Sequence, residues 1–144
     1  MNQATLTGTL LVFITALVVG SAIYLTPLKW ITIIEPTIDD ISAEEFYALY
    51  EGNEDNYIFL DVRNGQSYER GHAEGSLNLP VHELYNERFN LPKTDKEIIL
   101  ICSGGVASGV GYSYLEHYGF FNIKRIEGGI EAWSDAGLPM VGSL

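Results

Sequence analysis

Ile98-Ile99-Leu100-Ile101-Cys102-Ser103-Gly104-Gly105-Val106-Ala107-Ser108-Gly109 is an apolar run that stops at the only cysteine of the chain and gives way to glycines. Four β-branched or leucine residues in succession suit a parallel strand covered on both faces. Three glycines among the next seven residues suit a tight loop whose backbone N–H groups point inward, a nest for an anion. Beyond the loop, Val110, Tyr114, Leu115 and Tyr118 fall at helical spacing. The loop therefore feeds a helix N-terminus, an environment whose donors and dipole favour thiolate over thiol.

The 144 residues leave room for one domain of ordinary size, and a hydrophobic share of 47% supplies a core. A net charge of −11 and a pI near 4.5 argue against nucleic acid and against an anionic membrane surface, since both attract basic patches. One cysteine forms no intramolecular disulfide, and the Cys and His cluster of a zinc site is missing, so neither metal nor cofactor is expected. Cys102 is either inert packing or a lone reactive thiol.

Residues 1–28 carry no charged side chain. Within them residues 4–25 form an apolar stretch of about 22 residues, or about 33 Å of helix, enough to span a bilayer. Tyr24 and Trp30 stand where interfacial aromatics would. A cleaved signal peptide is the alternative, with Gly20-Ser21-Ala22 as its small-residue site. Against it, Met1-Asn2-Gln3 has no basic residue and the apolar run exceeds an ordinary signal core. The reading is a single-pass anchor over 1–28 and a linker over 29–36 that includes Pro36. Lys29, the one basic residue near either end, leans the following domain to the cytoplasmic side.

Residues 37–144 form the expected soluble domain. Ser42-Ala43-Glu44-Glu45 is a capping box opening a helix of about nine residues that sets Phe46, Leu49 and Tyr50 on one face. Tyr57–Val62 is an apolar strand whose carboxyl end presents Asp61 and Arg63. Ligands of open α/β sheets bind outside such ends. A short helical turn ends at Gly71, Gly75–Pro80 reads as a short strand and His82–Phe89 as a polar helix. Ile123–Ile126 is another strand, and Ile130–Ala136 a final helix ended by Gly137. Strands and helices alternate, which predicts a parallel sheet flanked by helices.

Three stretches together resemble the rhodanese family. Leu60–Pro80 is similar to its first signature, an Asp-x-Arg strand end followed by Gly-His and then Gly-small-x-Asn-x-Pro. The loop from Cys102 to Ser108 resembles the six-residue catalytic loop, and Glu127–Pro139 the closing signature. The resemblance covers residues 37 to about 142. It implies a three-layer α/β/α domain with a five-stranded parallel sheet. It also implies a sulfurtransferase whose nucleophile, Cys102, carries a sulfane sulfur as a persulfide. Thiosulfate or a persulfide would be the donor, and a small thiol or a protein the acceptor. Ser103, Gly104, Gly105, Val106, Ala107 and Ser108 would cradle the persulfide through their amides, with Asp61 and Arg63 at the pocket mouth.

Many members carry a basic residue inside the loop, and Ser103 to Ala107 include none. Backbone donors, the helix dipole and Arg63 must then meet the charge of an anionic donor. The alternative is a catalytically weak persulfide-binding or protein-interaction module at the membrane. A phosphatase on the same fold would need an arginine at position 108, which is serine. His72 reads as part of a structural turn, His82 and His117 as exposed, and Asp61 and Arg63 equally as an ion pair or as substrate contacts.

Overall fold

The computed structural model describes residues 3–25, 38–93 and 95–144, with side chains over 9–21, 38–93 and 95–144. Two compact units are present, Met1–Thr37 and Ile38–Leu144. The first contributes helix α1, Gln3–Leu25. Among the described residues no helix is long and apolar enough to cross a membrane. Side chains are described only over 9–21, which rise about 20 Å against a hydrocarbon core of about 30 Å. The expected transmembrane helix and its bilayer contact through 4–25 are therefore not shown. The linker over 29–36, with Trp30 and Pro36, lies outside the described residues.

The second unit alternates strands and helices in the order β1 (Asp40–Ile41), α2 (Ala43–Tyr50), β2 (Tyr57–Asp61), α3 (Gly65–Arg70), β3 (Gly71–Ala73), β4 (Leu77–Asn78), α4 (Leu84–Glu87), β5 (Glu97–Ile101), α5 (Val106–His117), β6 (Ile123–Ile126), α6 (Gly129–Asp135) and β7 (Met140–Gly142). β1, β6, β5, β2 and β4 form one five-stranded sheet in that order, all neighbours parallel. β3 and β7 make a separate antiparallel ribbon pairing His72 with Val141. Neither β1 nor the ribbon is predicted from sequence; two- and three-residue strands show no period, and β4, equally short, is read only from the Gly75 and Pro80 that bound it.

Side chains of β5 alternate between two cores. Ile99 and Ile101 join Phe46, Phe59, Ile126, Ile130 and Trp133 under α2 and α6. Ile98, Leu100 and Cys102 join Leu60, Val62, Leu84, Tyr112 and Leu115 under α4 and α5. All four apolar residues of Ile98–Ile101 are fully buried, each worth about 1.5–3 kcal/mol. The central strand is thus anchored in both cores, and its carboxyl end is as fully buried as its middle. Ser42 caps α2, its Oγ accepting from Glu45 N at 3.1 Å. Leu49, expected on the buried face, is exposed instead, since α2 buries only Ala43 and Phe46. The helix expected over His82–Phe89 is a single α-turn, Leu84–Glu87, followed by a 3-10 turn over Arg88–Asn90.

Candidate active site

Because neighbouring strands are parallel, β2, β5 and β6 end on one edge of the sheet, and the segments leaving them meet there. β5 delivers Cys102, whose side chain continues the α5-facing side of the strand and is only 2% exposed. Its Sγ accepts a hydrogen bond from Gly105 N–H at 3.1 Å and lies 3.3 Å from Ser108 Oγ. Ser108 is buried, and its hydroxyl also donates to Gly105 O at 3.1 Å. Gly105 holds φ +100° as the residue that caps α5, a left-handed conformation open to glycine and costly for other residues. Val106, Ala107 and Ser108 then form the first turn of a twelve-residue helix, where N–H groups have no intrahelical acceptor. Ser103, Gly104 and Val106 are exposed at the rim, Val106 by 83%.

The first peptide of the loop is clamped from the other side. Ile130 N–H donates to Cys102 O at 2.7 Å. A Cβ on Gly129, itself at φ +63°, would stand 2.3 Å from Cys102 O and 2.6 Å from Ser103 O. The missing side chain at Gly129 lets α6 press against the peptide that carries the thiol.

Asp61 and Arg63 are a buried ion pair. Arg63 Nη2 donates to Asp61 Oδ2 at 2.6 Å, Nε donates at 3.0 Å, and Nη2 also reaches Gly71 O at 2.7 Å. Asp61 is fully buried and acts through Arg63, tying the end of β2 to the start of β3. Arg63 does line a cavity of about 220 Å³ together with Ser67, Arg70, Ser103, Ile130, Glu131 and Leu144. Cys102 itself does not line it; the residue after it, Ser103, does. Of the residues expected at the site, the structure therefore gathers Cys102, Gly105 and Ser108 by hydrogen bonds. Arg63 and Ser103 share the neighbouring cavity, Asp61 stands behind Arg63, and Gly104, Val106 and Ala107 are the remainder of the loop.

Arg125 escapes the sequence reading. Its Nη1 donates to Gly105 O at 2.9 Å, while Nε and Nη2 hold the Asp40 carboxylate at 2.6 and 2.7 Å. The hydrogen bond to Asp40 raises the guanidinium above its ordinary value, burial opposes this, and the Asp40 and Cys102 charges add to the rise. The loop has no cation of its own, yet one braces it from β6. The signal was a basic residue three positions before Gly128, indistinguishable in sequence from a solvated strand residue. His72 stacks on Tyr68 with centroids 3.8 Å apart, and its Nδ1 lies 2.8 Å from Tyr68 O. His82 and His117 are exposed.

A parallel α/β domain with one thiol at the carboxyl end of its central strand, inside a glycine-rich loop opening a helix, defines a class of cysteine-loop proteins. The sequence matches the Rhodanese-like domain over residues 42–136, and the chain belongs to that family. It is 32% identical over 122 residues to the tRNA uridine(34) hydroxylase of Cronobacter sakazakii, a match covering 74% of this chain and 34% of that protein. The chain thus spans about a third of the length of the curated relatives it matches. A rhodanese-related protein of Thermoplasma volcanium has a crystal structure 32% identical, with TM-score 0.63, covering 73% of this chain and 99% of that one. The thiosulfate sulfurtransferase of Pseudomonas aeruginosa shares the fold at TM-score 0.65 and 24% identity, over 76% of this chain and 21% of that one.

Proposed function

We propose that the chain is a sulfurtransferase in which Cys102 takes a sulfane sulfur from thiosulfate or a persulfide and passes it to a thiophilic acceptor. The observation that carries this is the setting of Cys102 Sγ, which faces the Gly105 amide at the opening of α5. In the first step the Cys102 thiolate attacks the outer sulfur of the donor. A new S–S bond forms to Sγ, and the donor's old bond to that sulfur breaks with its electron pair. The outer sulfur gains charge beside the first-turn N–H groups of α5, which stabilise it. In the second step an acceptor thiolate or cyanide attacks the same sulfur, and Cys102 leaves as thiolate. With one cysteine in the chain, the acceptor comes from outside.

The test is to incubate the full chain with thiosulfate and with an organic persulfide and to read intact mass. One added sulfur that cyanide removes is expected, and none on Cys102→Ser. Loading by neither donor, or equal loading of the serine variant, overturns the proposal.

A second reading, a persulfide-binding or protein-interaction module with little turnover, draws on the neutral loop from Ser103 to Ala107 and on the Arg63 charge being taken up by Asp61. Loading without thiocyanate release would favour it. The tRNA in the curated relatives' name is not carried over, because a net charge of −11 repels a polyanion.

Residues 4–25 are proposed to hold the chain in a bilayer as a single pass. In support, they carry no charge, they lie in α1, and Leu11, Phe13 and Leu17 are exposed. Retention in the membrane fraction through alkaline carbonate washing is expected, and release into the wash overturns the anchor. The cytoplasmic side of the domain rests on Lys29 alone, and a C-terminal reporter active only outside the cytoplasm reverses it.

A further inference from the structure

The cavity beside the loop holds two charges that the rest of the described structure does not use. Arg63 is not one of them, since Asp61 and Gly71 O occupy its guanidinium. Arg70, the last residue of α3, and Glu131, in the first turn of α6, both line the cavity and are both exposed. Among the described residues neither side chain has an ion-pair partner. A cation and an anion from opposite elements thus share one cavity with Ser103, which follows the nucleophile, while Ile130 adds an apolar wall.

An arginine and a carboxylate in one small cavity match a ligand that carries both charges. The chain's net charge disfavours approach of an anion such as thiosulfate but exerts no net pull or push on a zwitterion. Resting on the sulfur-transfer reading above, we infer that the acceptor is a small zwitterionic thiol of the cysteine type. Arg70 receives its carboxylate, and Glu131 receives its ammonium. The bound thiolate attacks the outer sulfur of the Cys102 persulfide, R–S⁻ + Cys102–S–SH → R–S–SH + Cys102–S⁻. One S–S bond forms as another breaks, and no oxidant or reductant is consumed.

The experiment loads the full chain with sulfur from an organic persulfide and follows discharge by intact mass. The acceptors are cysteine, 3-mercaptopropionate, which lacks the amine, and cysteamine, which lacks the carboxylate. Comparing each variant with the natural chain on the same acceptor removes differences in thiol reactivity. Cysteine is expected to have the lowest KM. Arg70→Gln should raise KM about three- to tenfold for cysteine and 3-mercaptopropionate while cysteamine stays within about twofold. Glu131→Gln should do the same for cysteine and cysteamine and spare 3-mercaptopropionate. A merely structural role for either residue would move all three acceptors together, and that pattern, or discharge to all three alike in the natural chain, overturns the acceptor assignment alone. A chain that takes up no sulfur overturns the function and the acceptor with it.

Discussion

Gly129→Ala separates a clash on the Cys102 loop from ordinary backbone strain. The added Cβ would stand 2.3 Å from Cys102 O and 2.6 Å from Ser103 O, both backbone atoms of the loop. Gly137 supplies the control, with a similar φ of +66° and nothing within 4 Å of its hypothetical Cβ. Both substitutions bear the left-handed penalty of about 1–2 kcal/mol. Only Gly129→Ala adds overpacking of about 1–3 kcal/mol, because the atoms it meets are held by the Ile130 N–H bond to Cys102 O. The difference between the variants in urea unfolding should therefore be about 1–3 kcal/mol, measured as a shift in midpoint at constant slope. The clash is relieved by moving the peptide that carries Cys102, so sulfur loading per folded molecule should also fall in Gly129→Ala and stay unchanged in Gly137→Ala. Equal destabilisation by the two, or equal loading, would refute the claim that α6 positions the loop.

Asp61→Asn should destabilise the domain by about 3–5 kcal/mol in urea unfolding, because it leaves the buried Arg63 charge without its partner; combining it with Arg63→Met should cost much less than the sum of the two. Lys124 bonds Glu97 at 2.8 Å, and that hydrogen bond raises its pKa above the ordinary 10.5. The pair's stability, about 0.2–1 kcal/mol, is then fully present below the unfolded value and lost as pH rises through the folded one. The natural chain and Lys124→Met should accordingly differ in unfolding midpoint at neutral pH and converge only above pH 10.5. Gly109→Ala should gain about 1 kcal/mol of helix propensity yet come out near neutral, since its Cβ would stand 3.0 Å from Arg125 Nη1; in an Arg125→Met background the full gain should return in the unfolding midpoint.

The parts of this site legible in the sequence are those set by local pattern. Ile98–Ile101 reads as a buried strand because four apolar residues need cover on both faces, and they sit fully buried in two cores. The glycines after Cys102 read as a loop, and Gly105 holds the left-handed φ that a turn there demands. The i, i+2 spacing of Asp61 and Arg63 puts them on one face, but whether Arg63 meets its neighbour or a ligand depends on burial, which spacing does not encode. The structure gives both answers, pairing the guanidinium with Asp61 while leaving it in the cavity wall.

What escaped is non-local. Arg125 joins Asp40, 85 residues before it, to Gly105, 20 residues before it. No window of sequence holds all three. The same contact changes the meaning of Gly109, which reads as one more loop glycine and is in fact buried inside α5. Its value lies in the missing methyl group, because a side chain there would stand against the Arg125 guanidinium, 3.0 Å away. A loop with no cation of its own and a helix with a glycine in its first two turns are thus two sides of one arrangement. The positive charge reaches the loop backbone through the gap that Gly109 leaves, held in place by Asp40 on the edge strand. Since Asp40 takes up much of that charge, the brace fixes the Gly105 peptide more than it attracts an anion. In the cavity that Ser103 lines, Arg70 is by contrast a cation with no ion-pair partner among the described residues.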